Sequence, residues 1–294
     1  VDPGWEVDFA DNPGGLAVSP SGDRAAVTLR AEGQSDVWVK QLPRGPAIRL
    51  SLSDAADGRP SWTPDGRWVT FLSMRSGSSQ IYRRRADGVG EAELVHEDLD
   101  GVEEATWSPD GEWLIYRTDE FGPRGGEIFG VRPGADAERR LLVGSRFVEV
   151  HPEVSPDGRW LAYASNESGR FEVFLVPFPD TGAGRIPVST QGGWAPRWGA
   201  DGRTLFYIAG DNYRTTGLVR VDLDLEPPYA HSEGLVTSGD EADAWVLGDP
   251  RSWDVHPGTG RPLGLRFLVQ RRDEDLVVMQ GLRARLRALR GLNR

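Results

Sequence analysis

The chain has no cysteine, which excludes disulfides, thiolate nucleophiles and thiolate metal sites and leaves an oxidising compartment as open as a reducing one. No apolar run reaches the roughly 18 residues that a membrane-crossing helix needs, and no charged-then-apolar signal segment opens the sequence. Val1 stands where an initiator Met would be, so the chain reads as a processed protein or an excised domain. Basic residues are in deficit: 34 Lys and Arg face 45 Asp and Glu, for a formal net charge of -11. Such a chain repels phosphate backbones, and nucleic acid is not an expected partner. Histidine is scarce as well, with 4 copies. What remains is ordinary for a globular protein: 294 residues, 38% hydrophobic and 27% charged, enough to bury a large core.

One short turn returns along the whole chain. It reads "VSPSGDRAAV" from Val18, "WTPDGRWVTF" from Trp62, "WSPDGEWLIY" from Trp107, "VSPDGRWLAY" from Val154 and "WGADGRTLFY" from Trp198. An expanded sixth copy, "VHPGTGRPLGLRFLV", starts at Val255. The turn glycines Gly22, Gly66, Gly111, Gly158, Gly202 and Gly260 are spaced by 44, 45, 47, 44 and 58 residues. A period of roughly 40–45 residues is that of a four-stranded propeller blade, so six repeats predict six blades.

Turn chemistry points the same way. In Pro64-Asp65-Gly66 the proline presets φ, the aspartate can bond its own backbone, and the glycine tolerates a left-handed conformation. An apolar run rich in β-formers follows each turn, such as "RWVTFLS" or "RWLAYAS". A third strand comes next ("DVWVKQL", "QIYRRRA", "EIFGVRP", "EVFLVPF"), then a weaker fourth ("AIRLSL", "AELVHE"). The expected fold is therefore all-β, a six-bladed propeller of four-stranded antiparallel blades. The blades fall near 11–52, 53–98, 99–145, 146–191, 192–239 and 240–280. Only two strands follow the sixth turn, so residues 3–10 are expected to supply its fourth strand and clasp the ring, which otherwise leaves an open edge. Leu282, Leu286 and Leu289 stand at helical spacing and predict a short tail helix over 281–292, lying on the rim.

The phrases "WSPDGEWLIY", "RWLAYASNESGRFEVFLVPFP" and "VSTQGGWAPRWGADGRTLFY" resemble the TolB-like six-bladed propeller family, in particular the propellers C-terminal to bacterial eukaryotic-type serine/threonine kinases. The resemblance covers nearly the whole chain. It implies a sensory or protein-binding domain, extracytoplasmic rather than cytoplasmic and tethered to a kinase domain upstream. The chain departs from the repeat at Ser21, where aspartate is usual, at Ala200, where proline is usual, and in the expanded sixth turn. No kinase Gly-rich loop, His-Arg-Asp loop or Asp-Phe-Gly triplet is present, and no Gly-x-Ser-x-Gly elbow of a serine hydrolase. His96, His151, His231 and His256 are scattered, without His-Glu-x-x-His spacing.

Function in a propeller concentrates where the inner strands converge on the axis. Counting back one residue from the aligned Trp or Val gives Ala17, Ser61, Thr106, Glu153, Arg197 and Asp254; counting back three gives Gly15, Arg59, Glu104, His151, Ala195 and Ser252. The expected site is a polar funnel of Arg59, Glu104, His151, Glu153, Trp194, Arg197, Arg251 and Asp254, on the face opposite His256. It would receive a protein, peptide or small-molecule ligand. Glu153 and Arg197 hold equivalent places on adjacent blades, so they also have a plainer reading, as a pair satisfying itself across a seam. Glu103, Glu104, Glu153 and Asp254 are a candidate calcium set, since hard cations prefer oxygen ligands. The expected role is a non-catalytic binding module; the alternative is a metal-assisted lyase with His151 at the channel mouth.

Overall fold

A computed structural model of the protein describes residues 15–31, 34–42, 45–118, 126–134, 137–211, 214–225, 228–238, 252–270 and 273–279. The first sheet is β1 (Leu16–Val18), β2 (Arg24–Ala31), β3 (Gln34–Gln41) and β4 (Ala47–Arg49). The second is β5 (Asp57–Trp62), β6 (Trp68–Ser73), β7 (Gln80–Arg85) and β8 (Glu93–His96), and the third β9 (Val102–Trp107), β10 (Leu114–Thr118), β11 (Ile128–Val131) and β12 (Arg140–Val143). The fourth is β13 (Glu149–Val154), β14 (Trp160–Ser165), β15 (Glu172–Pro177) and β16 (Ile186–Pro187). The fifth is β17 (Gly193–Trp198), β18 (Thr204–Asp211), β19 (Arg214–Leu225) and β20 (Pro228–Ser238). Each is an antiparallel meander in chain order. The last sheet holds three strands, β21 (Trp253–Val255), β22 (Pro262–Gln270) and β23 (Asp273–Met279).

The chain is thus an all-β propeller of antiparallel blades, and the expectation of six four-stranded blades is corrected. Five sheets are four-stranded, and the sixth has three strands among the described residues. Past the sixth turn the described residues supply two strands, and residues 3–10, expected to complete that blade, lie outside the described residues. So does the expected tail helix at 281–292; among the described residues the one helical element is a single 3-10 turn, Thr181–Ala183.

The second strand of each blade is sandwiched between two neighbours, which explains its unbroken apolar run. Along β6, Val69 and Phe71 pack with Ala26, Val37 and Leu50 of the first blade, whereas Leu72 packs with Val102, Leu114 and Tyr116 of the third. Along β14, Leu161 and Tyr163 face Ile115 and Ile128, while Ala162 joins Leu205 and Tyr207. Side chains alternate between faces at period two, so each blade seals the one before and the one after. Closure falls between the sixth and first sheets, where the Val18 amide donates to Asp254 Oδ2 at 2.7 Å.

The recurring turn depends on a residue that sequence reasoning passed over, the Ser or Thr before the proline. Ser155 Oγ donates to Asp157 Oδ1 (2.5 Å) and accepts from the Trp160 amide (3.0 Å), while Asp157 also takes the Arg159 amide (3.1 Å). Thr63 and Ser108 repeat this with Asp65 and Asp110. In the first repeat Asp23, two residues late, receives the Ser19 hydroxyl at 3.0 Å, which compensates for Ser21. In the fifth, Gly199 has no hydroxyl, and Asp201 Oδ1 itself accepts the Arg203 and Thr204 amides. Ser155→Ala removes the acceptor of the part-buried Trp160 amide and one donor to Asp157, and should cost about 1 kcal/mol in urea unfolding; the equivalent change at Gly199 would cost nothing of this kind, since no hydroxyl is there to lose.

Candidate functional site

Every inner strand carries its penultimate residue to the axis. Ala17, Ser61, Thr106, Glu153, Arg197 and Asp254 all line one cavity of about 450 Å³. The turn prolines Pro20, Pro64, Pro109, Pro156 and Pro257, with Ala200 in the fifth blade, form its rim. The cavity therefore lies at the turn end of the channel. Sequence reasoning places the expected funnel at the strand-entry end, on the face opposite His256, whereas His256 precedes a rim proline of this cavity.

One arc of the ring is uncharged (Ala17, Ser61, Thr106) and the other carries Glu153, Arg197 and Asp254. Arg197 Nη1 donates to Glu153 Oε2 at 3.1 Å and to the Pro196 carbonyl at 2.9 Å. Its Nε lies 3.9 Å from Asp254 Oδ1, an ion pair longer than a hydrogen bond, and its guanidinium sits 5.8 Å above the Trp253 ring. Glu153 Oε1 accepts the Trp198 amide (3.0 Å); Asp254 accepts the Val18 amide (2.7 Å) and the Val255 amide (2.8 Å). Each carboxylate thus binds the backbone of the next blade, so the pairing of Glu153 with Arg197 is a seam contact and a channel wall at once. Burial pushes the Glu153 carboxyl up to about 7, against the pull of Arg197 and with the help of Asp254. Asp254 is raised for the same first reason, with Arg197 opposing.

The residues three positions back do not join this ring. Arg59, His151 and Ala195 have left-handed φ of 52°, 56° and 48°, each before a proline, and the pairing register slips there. The first blade has Gly15 at the same place, with φ 81°. A bulge at each X-Pro step breaks the alternation, so the side chain expected beside the ring turns elsewhere. Arg59 reaches the Glu103 carbonyl at 2.6 Å and its carboxylate at 3.3 Å. Glu104 is fully buried; its Oε1 accepts Arg117 Nε and the His151 amide, both at 2.8 Å. His151 packs 5.9 Å from the ring of Trp194, and Trp194 is a core residue beside Phe206 and Trp253. Of the expected funnel, Glu153, Arg197 and Asp254 meet in the cavity; Glu104, His151 and Trp194 are buried apart from it, and half-buried Arg59 pairs with Glu103; Arg251 lies outside the described residues.

The calcium set is divided between separate ion pairs. Glu103 and Glu104 pair with Arg59 and Arg117, and Glu153 and Asp254 flank Arg197. Among the described residues no three His, Asp or Glu side chains converge as metal ligands. His96 belongs to another network: its Nε2 lies 3.1 Å from the Tyr116 hydroxyl, which donates to Asp98, itself held by Arg139 at 2.7 Å. That network spans the second and third blades and is satisfied from within.

The family profile described as the TolB beta propeller domain matches residues 7–125. Over 104 residues the chain is 32% identical to the uncharacterized peptidase YuxL of Bacillus subtilis, an alignment covering 33% of this chain and 16% of that protein. The chain thus spans a small part of that curated relative. The structure of a putative TolB from Agrobacterium tumefaciens superposes with a TM-score of 0.63 at 17% identity, over 92% of this chain and 91% of that one. An oligogalacturonate lyase in complex with manganese gives 0.60 at 12% identity, over 90% and 75%. At such identities these structures share the fold. Among the described residues no helix is long and apolar enough to cross a membrane. The repeated turns, the antiparallel blades and the profile match over residues 7–125 give this chain a TolB-like β-propeller fold.

Proposed function

We propose that the chain is a non-catalytic binding propeller, a sensory or interaction domain of a bacterial signalling protein. Its turn-end cavity takes up a segment of a partner protein or a small ligand. The observation that carries this reading is the cavity itself, to which all six sheets contribute and whose wall is half charged and half neutral. In this reading the domain lies outside the cytoplasm and a kinase is tethered upstream. Among the residues lining the cavity no histidine stands beside Ser61 or Thr106 to activate a hydroxyl.

An enzymatic reading has one support, the likeness to a peptidase and to a lyase named above. His151, the residue proposed for lyase chemistry, is 8% exposed and lies outside the cavity lining. Thr106→Trp tests the binding reading, because it fills the neutral arc without touching the ion pairs. Peptides selected from a displayed random library on the native protein should lose binding to this variant while its melting temperature holds. Undiminished binding would place the site elsewhere.

A further inference from the structure

We propose that the cavity selects a ligand bearing an aliphatic primary ammonium, either the lysyl side chain of a peptide or a free polyamine. This rests on the channel reading above and adds the chemistry of what enters. The charged arc holds two carboxylates and one guanidinium, a local excess of one negative charge once both acids are ionised. Arg197 cannot serve both acids equally: it hydrogen-bonds Glu153 and stays 3.9 Å from Asp254. The two Asp254 oxygens accept one backbone amide each, and the Glu153 oxygens accept one amide and Arg197. A carboxylate offers about four lone-pair positions, so both retain acceptor capacity toward the cavity.

Other ligand classes fit less well. An anion reaching Arg197 must pass between Glu153 and Asp254, and like charges at close range select against it. A divalent cation needs several oxygen ligands in one shell, and Arg197 stands between the only two carboxylates lining the cavity. An ammonium brings three donors and asks for no such shell. The rim suits the rest of such a ligand: Pro20, Pro156 and Pro257 stand above the acids, and a chain of methylenes lies well along apolar surface while its head seeks charge.

Calorimetric titration tests this with four probes: pentylamine, hexanoate, spermidine and N-acetyl-lysine methylamide. The amines should bind and hexanoate should not. Tighter binding of the lysine derivative marks a peptide as the source, and tighter binding of spermidine marks a polyamine. Glu153→Gln and Asp254→Asn keep the amide acceptors but remove charge, and each should weaken pentylamine binding roughly tenfold. Arg197→Met should strengthen it, an outcome that a merely misfolded variant could not give. Affinity should also rise from pH 6 to pH 8 as Glu153, facing Arg197 and Asp254, ionises; Asp254, facing Arg197 and His256, is raised in the same direction. Carbodiimide coupling gives a second readout, because Lys40 is the only lysine of the chain and lies buried, so an amine joined to Glu153 or Asp254 comes from the probe. Hexanoate binding as tightly as the amines, or pentylamine binding that ignores both acid variants, overturns the proposal. If library peptides bind, are blocked by Thr106→Trp and show no enrichment of lysine, the channel reading stands and the ammonium assignment falls. If neither peptides nor amines bind, both fall.

Discussion

Replacing Glu104 by alanine is expected to lower the melting temperature by on the order of 10 °C, the largest effect of any single polar substitution considered for this fold. The side chains of Glu104 and Arg117 are 1% and 8% exposed, so the loss takes from a guanidinium in the interior its carboxylate partner at 2.8 Å, Glu103 standing farther off at 3.9 Å. Breaking a buried pair in this one-sided way costs about 3–5 kcal/mol. A second contribution is local: the same carboxylate oxygen receives the His151 amide, at a residue whose left-handed backbone needs fixing. Thr28 does this for Arg59, accepting its amide at 3.0 Å. Glu104→Gln keeps an acceptor for the amide and should lose less. Calorimetric melting of both variants checks the order; a Glu104→Ala protein that melts with the wild type would show that the pair contributes nothing.

The second large effect is a pH dependence of stability centred on Glu153. Its carboxyl ionises near 4.5 in the unfolded chain and is pushed up to about 7 in the folded one. Below about pH 4.5 the group is protonated in both states and its contribution is fully present. As pH rises toward 7 the unfolded chain releases the proton first, and stability is lost through that window. The full shift corresponds to about 3 kcal/mol, an upper figure for a side chain that is 23% exposed. Asp254 adds to the same slope. The turn aspartates act in the opposite sense and at lower pH: a Ser108 hydroxyl bond lowers Asp110, and at Asp157 burial is outweighed by Ser155 and Arg159, so their stabilisation is lost only on acidification below the ordinary carboxylate range. Glu153→Gln should therefore flatten the decline between pH 5 and pH 8, measured by urea unfolding at each pH, and gain on the wild type as pH rises. Parallel curves would show that Glu153 does not titrate differently on folding.

The two ends of each inner strand were unequally legible in the sequence. Ala17, Ser61, Thr106, Glu153, Arg197 and Asp254 could be counted to the axis because the last two residues before the turn keep regular alternation. Arg59 and His151 could not, because the X-Pro step inserts a bulge and shifts the side-chain parity behind it. The signal was present: a proline inside a strand marks an edge or a bulge, and Pro60, Pro152 and Pro196 recur at one position. The third blade has Ala105 there, and Glu104, without positive φ, turns inward to serve the neighbouring bulge. Turn glycines and apolar runs specified the sheets through local chemistry. The ion-pair partners across blades depend on long-range register and could be read only from coordinates.

The prolines of the inner edge also decide how a threaded polypeptide can be held. Pro60, Pro152 and Pro196 lie within β5, β13 and β17, the innermost and unpaired-edge strands of three blades, and have no amide hydrogen to offer. A segment lying in the hole cannot extend any of these sheets by continuous main-chain pairing. Against these three blades its grip must come from individual side groups, which makes recognition there a matter of which residues the visitor carries rather than of its capacity to form a strand, and protects these edges from self-association with other open β-edges.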